Sequence, residues 1–347
     1  MKLGDICKIK YGKDHKKLND GSIPVYGSGG VMRHVDAVLW NKPSVLIPRK
    51  GTLGNLFYVD EPFWTVDTLF WTDIDAAQVV PKYLFYQLKT KDLASLNVGT
   101  AVPSLTTEVL NEVQIDLPSF EKQKQIVEVL GCIDAKIVAN AKLNGYLEEL
   151  CDALFLDFLE QADSSWHEGT LEELAEVKYG KDHKKLADGP YPVYGSGGFM
   201  RSAEKSLFSG ESVLIPRKGS LNNVMYVNEA FWTVDTMFFT VPRIPGAAKF
   251  LYQYVKRLDL ASMNSGSAVP SMTTSILNAL SLPVPPRDSL LSFNAKLQSM
   301  YDAVRANNLE NRRLESLRDS LLPKLMTGEI DVSKIDLTQL NSHLIKR

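Results

Sequence analysis

Two hydrophobic rhythms alternate along this chain, and each occurs twice. The first is a set of short apolar runs: residues 44–48 (SVLIP), 56–59 (LFYV) and 63–71 (FWTVDTLFW). They are rich in Val, Ile, Phe, Tyr and Trp and are bounded by Gly, Pro and Asn, the composition of strands and turns. The GSGG segments at 27–30 and 195–198, and the Asp20-Gly21 and Asp188-Gly189 pairs, predict turns. Helices are expected over 81–93, with Pro81 early, and over 247–260. A further strand over 113–117 closes the first copy at Pro118, and its counterpart closes at Pro285.

The second rhythm starts at Ser119 and runs to Glu160 without a proline. Ile126, Leu130, Ile133, Ile137, Asn140, Asn144, Leu147, Cys151 and Leu154 alternate at spacings of four and three. A matching series follows 167 positions later: Phe293, Leu297, Met300, Val304, Asn307, Asn311, Leu314, Arg318 and Leu321. Heptads sustained this long argue for paired long helices rather than two amphipathic helices each lying on its own domain. Asparagine at matched seam positions favours pairing, because a buried Asn sets register at a cost in stability. An antiparallel pair would bring Asn140 to Asn311 and Asn144 to Asn307. About 40 helical residues span about 60 Å, against about 34 Å between successive equivalent faces of B-DNA. Such a pair is long enough to be a spacer.

The strand-rich segments are near-copies. Residues 10–72 return at 178–240, and about two thirds of the positions are identical. GKDHKKL, PVYGSGG, SVLIPRKG and FWTVDT are unchanged, and AVPS-x-TT recurs at 101–107 and 268–274 after a one-residue shift. A repeat this long is no solenoid, since each copy is large enough to fold alone. The expected fold class is therefore α+β: two pseudo-twofold-related mixed α/β domains separated by two long antiparallel helices forming a coiled coil. The expected division is 1–118, first domain; 119–160, first helix; 161–286, second domain; 287–327, second helix; and 328–347, a tail.

Composition changes this picture little. Across 347 residues, 44% hydrophobic and 23% charged content is ordinary for a globular protein. No apolar run approaches the length of a membrane span, and the first residues lack the apolar core of a signal peptide, so a cytoplasmic location is expected. Cys7, Cys132 and Cys151 fit reduced thiols rather than a disulfide framework or zinc site. A net charge of −2 does not advertise a nucleic-acid binder, but the distribution of charge is uneven.

The parts of an enzyme are missing. The chain has no phosphate-loop motif, no H-E-x-x-H and no N-P-P-[YF] or D-P-P-[YF]. Of five histidines, His15, His34, His167, His183 and His343, only His15 and His183 recur. Asp67 and Asp235 lack a recurring partner carboxylate. No catalytic residue and no metal site is expected.

A DNA-binding reading fares better. Lys13, His15, Lys16 and Lys17 are matched by Lys181, His183, Lys184 and Lys185; Arg49-Lys50 by Arg217-Lys218; Arg33 by Arg201. Lysines beside glycine turns suit phosphate contacts. These clusters remain unchanged while other positions differ (His34/Ser202, Ala37/Lys205, Pro43/Glu211), which favours contact over mere solvation. Ser28 and Ser196 lie in the GSGG loops, whose backbone could meet phosphate or simply turn. Arg49 and Arg217 are the preferred base readers, because a guanidinium matches guanine O6 and N7. Thr106-Thr107 and Thr273-Thr274 are expected to cap short helices. Phe63-Trp64 and Phe231-Trp232 read as core rather than stacking platforms.

The order domain, long helix, domain, long helix resembles the specificity subunit of type I restriction-modification systems. KLGDICKIKYGK, PVYGSGG, the SVLIPRKG–FWTVDT succession, the proline closing each domain and LRDSLLPKLMTGEIDV at 317–332 carry the resemblance. It implies that each domain reads one half of a bipartite double-stranded DNA target, while the helices set the gap and dock two methyltransferase subunits. S-adenosylmethionine would be bound by the methyltransferase partner, and ATP and Mg by a restriction partner, with no cofactor on this chain. The likeness of the two domains departs from many relatives and implies similar, inverted half-sites. The competing reading is a stand-alone sequence-specific or architectural DNA-binding protein.

Overall fold

The computed structural model describes residues 1–99, 103–263 and 271–335. The chain divides into two compact units: Met1–Asn140 with Leu309–Arg347, and Ala141–Asn308.

The first unit opens with α1 (Leu3–Ile6), β1 (Cys7–Tyr11), β2 (Ile23–Gly27), β3 (Gly30–Val35), β4 (Ser44–Pro48), β5 (Phe57–Val59), β6 (Trp64–Thr65) and β7 (Leu69–Ile74). α2 (Pro81–Lys89) and α3 (Thr107–Asn111) follow, and then α4 (Phe120–Glu160), whose residues 120–140 belong here. One sheet runs β1-β7-β4-β5 and a second β3-β2-β6. β4 is buried along its whole length, so its apolar run does not alternate. The single strand expected over 63–71 is broken at Val66-Asp67-Thr68, where a turn separates β6 from β7. The helix expected over 81–93 ends at Lys89, because Thr90 caps it with its Oγ1 donating to the Gln87 carbonyl at 2.7 Å. The strand expected over 113–117 does not form either. That stretch is hydrogen-bonded to Met1–Leu3, with Leu3 N–H donating to the Val113 carbonyl and Ile115 N–H to the Met1 carbonyl at 2.8 Å each, but the pairing goes no further than an isolated Lys2–Gln114 bridge.

The second unit repeats this plan with β8 (His167–Thr170), α5 (Leu171–Leu174), β9 (Ala175–Tyr179), β10 (Tyr191–Gly195), β11 (Gly198–Ala203), β12 (Phe208–Pro216), β13 (Met225–Thr233) and β14 (Met237–Pro242). α6 (Ala247–Val255), α7 (Thr274–Asn278), β15 (Ser281–Val284) and α8 (Arg287–Thr327) complete the order. α6 ends at Val255, short of the expected Leu260. Here the two sheets are fused into one, β11-β10-β13-β12-β14-β9. β13 does the joining, since it covers the equivalents of both β5 and β6. In the first unit Pro43 and Pro62 stand where the second has Glu211 and Ala230. Proline fixes φ near −65° and donates no hydrogen bond, which interrupts the ladder there. The closing strand is present in this unit, because β15 pairs with β8 over four residues.

Each unit contains a helix pair. In the first, Asn140 Nδ2 donates to Asn311 Oδ1 at 2.9 Å and Arg318 Nη1 to Asp134 Oδ1 at 3.2 Å. In the second, Asn307 Nδ2 donates to Asn144 Oδ1 at 2.7 Å, Asn144 Nδ2 to Asn308 Oδ1 at 2.9 Å, and Cys151 lies by Met300. As one residue number rises its partner's falls, so α4 and α8 run antiparallel in each unit, and the asparagines meet as the heptads predicted. Pairing and packing on the domain prove compatible. Ile126, Leu130, Leu322 and Leu325 share a core with Val45, Phe70 and Leu84, and Phe155, Phe293 and Leu297 share one with Val213, Phe238 and Phe250. The tail beyond residue 335, with Ala101, Val102 and residues 268–270 of the AVPS repeats, lies outside the described residues.

Candidate nucleic-acid interface

In each unit, four loops with unchanged sequence come together. The basic loop follows β1. Asp14 Oδ1 accepts from Lys16 N–H at 3.1 Å, and Asp182 from Lys184 N–H at 3.0 Å, which holds both carboxyls below their usual range. The hydrogen-bonded turn therefore falls at Lys16-Lys17 and Lys184-Lys185, not at the Asp-Gly pairs expected to form it. The loop is fastened to the turn after β6: Lys13 N–H donates to the Thr65 carbonyl at 2.8 Å and Trp64 Nε1 to the Lys13 carbonyl at 3.0 Å. The second unit repeats both, with Lys181 and Thr233 at 2.9 Å and Trp232 and Lys181 at 2.8 Å. Gly12 and Gly180 are required for this approach. A Cβ at either would stand 2.0 Å from the carbonyl oxygen of Val66 or Val234.

The GSGG segments are tight hairpin turns, with Gly30 at φ 114° and Gly198 at φ 107°, conformations that glycine adopts freely. Asn55 Nδ2 donates to the Ser28 carbonyl, and Asn223 Nδ2 to the Ser196 carbonyl, each at 2.8 Å. These bonds tie the hairpin turn to the PRKG loop. That loop carries Arg49-Lys50 and Arg217-Lys218. Arg49 Nη1 donates to the Asp67 carbonyl at 3.2 Å, and Arg217 Nη1 to the Asp235 carbonyl at 3.2 Å. The Lys50–Ser104 and Lys218–Ser271 bridges hold its far side.

The expected contact residues separate into three groups. Lys13, Lys16, Lys17, Lys50 and their counterparts Lys181, Lys184, Lys185 and Lys218 are exposed. His15, Ser28, Arg49, His183, Ser196 and Arg217 are half-buried within the loops. Arg33 and Arg201 instead stand behind the basic loop. Arg33 Nη2 binds Asp20 at 2.7 Å and the Leu18 carbonyl at 3.2 Å, while Arg201 binds Asp188 at 3.3 Å and the Leu186 carbonyl at 2.6 Å. Thr106 and Thr273 cap α3 and α7 through hydroxyls accepting from Val109 and Ile276 N–H. Phe63 and Phe231 are core residues, whereas Trp64 and Trp232 are half-buried fasteners.

Residue-by-residue reading missed Tyr11 and Tyr179. Their rings lie under the guanidinium groups of Arg49 and Arg217, at 5.2 Å and 5.4 Å. It also missed Asn55 and Asn223. The signal was available, because all four are unchanged between copies.

Among the described residues there is no group of His, Cys, Asp and Glu able to hold a metal ion, and no helix long and apolar enough to cross a membrane. The model of the type I restriction modification DNA specificity domain matches residues 1–149 and again 163–317. The chain belongs to that family. Its role is that of a DNA sequence-specificity subunit, and the stand-alone DNA-binding reading is not favoured. Specificity subunits are non-catalytic, and the family implies DNA and methyltransferase or restriction subunits as partners. The MjaIX type I restriction enzyme specificity subunit of Methanocaldococcus jannaschii is 24% identical, with 86% of this chain and 80% of that protein covered. The HindI specificity subunit of Haemophilus influenzae is 22% identical over 80% and 84%. A crystal structure of a type I S subunit from M. genitalium has a TM-score of 0.60 at 19% identity, covering 94% of this chain and 95% of that one. It shares the fold.

Proposed function

We propose that each unit reads one half of a bipartite duplex DNA target through the face made by its basic loop, GSGG turn, PRKG loop and VDT turn. The supporting observation is the repetition: the same fastening bonds recur in both units within about 0.2 Å, and the same exposed lysines stand on them. Exposed lysines supply orientation-tolerant contacts to phosphate, and the more constrained PRKG arginines supply base discrimination. His15, His183, Ser28 and Ser196 shape the loops from within. Arg33 and Arg201 act by bracing the basic loop.

Residues 1–118 and 161–286 are the recognition domains on this reading, with 119–160 and 287–327 the helices that set the gap and carry two methyltransferase subunits. S-adenosylmethionine would enter with those subunits, and ATP and Mg with a restriction subunit, in the cytoplasm where the DNA lies. Because the two faces match, the half-sites are expected to be alike and inverted, giving a near-palindromic target with an unspecified centre. Methylome sequencing of cells expressing the chain with its methyltransferase partner tests this. One near-palindromic bipartite motif is expected, and two unrelated half-sites would refute it.

A further inference from the structure

Tyr11 and Tyr179 are large aromatic residues left 51% and 49% exposed beside the PRKG arginines. Neither ring is loose. Tyr11 packs edge-on against Phe70 and Tyr179 packs tilted against Phe238, with centroids 5.0 Å apart in both; both phenylalanines are fully buried. On each tyrosine lies a guanidinium, that of Arg49 or Arg217, with one Nη held by a backbone carbonyl at 3.2 Å. The arginine backbone is fixed as well, since Arg49 and Arg217 N–H donate to the Thr68 and Thr236 carbonyls at 2.8 Å. Among the described residues neither arginine forms an ion pair, unlike Arg33, Arg201, Arg257 and Arg318.

A phosphate contact gains little from such restraint, because a mobile ammonium serves it as well. A planar fork held in one orientation by a ring and a carbonyl has already lost its rotamer freedom, and that is what bidentate base readout requires. Among the described residues no carboxylate pairs with either fork, which leaves its remaining N–H donors to match a ligand rich in acceptors. In a DNA groove, guanine O6 and N7 form the pair of acceptors that matches it.

We propose that Tyr11–Arg49 and Tyr179–Arg217 are twin guanine readers, each engaging O6 and N7 of one guanine, and that both half-sites carry this guanine at the same position. Tyr11 and Tyr179 are positioning residues. The proposal rests on the bipartite reading above and adds the identity of one base per half-site.

The test uses the full chain with its methyltransferase partner. Selection from a random duplex library should enrich two half-sites sharing a guanine. Replacing that guanine by 7-deazaguanine in one half-site, which removes only the N7 acceptor, should weaken binding about tenfold. Arg49→Lys and Arg217→Lys keep the charge but lose the fork. Each should lower affinity for the selected duplex about ten- to hundredfold while leaving binding to random duplex and its salt dependence unchanged, which also certifies folding. Tyr11→Ala should lose about two- to fivefold on the selected duplex only, and Tyr11→Phe should restore it. Half-sites without a shared guanine, indifference to 7-deazaguanine, or equal loss on selected and random DNA would overturn the guanine readers and leave the bipartite reading standing. A selection that enriches no sequence would overturn both.

Discussion

The two units build the same four-loop face on different foundations. In the second unit Lys249 is fully buried and binds Glu211, Asn294 Oδ1 at 2.8 Å and Gln298 Oε1 at 3.0 Å, between the rings of Tyr226 and Tyr301. Tyr226 also donates to Glu211 at 2.6 Å, and burial together with that bond pushes its phenol well above the ordinary range. The corresponding Lys82 of the first unit is only partly buried and stands 4.0 Å from Asp134, which is held mainly by Tyr86 at 2.5 Å and Arg318 at 3.2 Å. One unit ties its sheet to its helices through a buried lysine, whereas in the other a tyrosine and an arginine tie three helices to one another. The loops are indifferent to this, because their geometry comes from bonds among themselves. A loop face fastened locally can be kept while the scaffold beneath it drifts.

The widest separation between the units is expected at the lysines. Lys249→Met leaves the Glu211 charge with only the Tyr226 hydroxyl and should cost about 2–4 kcal/mol in urea unfolding. Lys82→Met should cost about 1 kcal/mol or less, and equal losses would break the comparison. The helix seams should behave alike. Asn140→Leu leaves the Asn311 carboxamide without its partner side chain and should cost about 1–3 kcal/mol. Asn140→Leu with Asn311→Leu should recover most of it, since two apolar residues then face each other; no recovery would show that this pair does not set the seam.

Cys7 separates the units again, because Ala175 occupies its place in the second. Burial pushes the Cys7 thiol up to about 12. The unfolded thiol ionises first as pH rises, so the contribution is full below about pH 8.5 and is lost progressively toward pH 12. The loss at pH 9.5 should be about 1 kcal/mol. Cys7→Ala should remove that slope when unfolding is followed from pH 7 to 9.5, and a slope unchanged by the substitution would place its origin elsewhere. The smallest effect concerns the shared face. Trp64→Phe and Trp232→Phe each lose one half-exposed bond to a lysine carbonyl, about 0.5–1 kcal/mol apiece. Unequal losses would show that the faces are less alike than their bonds.

Much of this was legible beforehand. The heptads located α4 and α8 and the asparagine contacts, because a 3.5-residue period in apolar positions leaves few ways to bury them. Thr106 and Thr273 were readable as caps, since a hydroxyl before a short helix has one backbone task. Strand ends were less readable. Pro43 and Pro62 split a sheet in one copy only, and the closing strand forms only where β8 supplies a partner, so both outcomes depend on a neighbour distant in sequence.

The site divides in the same way. By itself the sequence determined the repeat, the helix register, and which basic and glycine residues recur, all of which follow from local periodicity and identity. Only the tertiary structure decided that Arg33 and Arg201 turn onto Asp20 and Asp188 of the basic loop, and that Tyr11 and Tyr179 lie beneath Arg49 and Arg217. The physical reason is that the direction of a long charged side chain is set by whichever hydrogen-bonding group or ring the fold brings into contact with it, and those partners here lie 13 to 38 residues away along the chain.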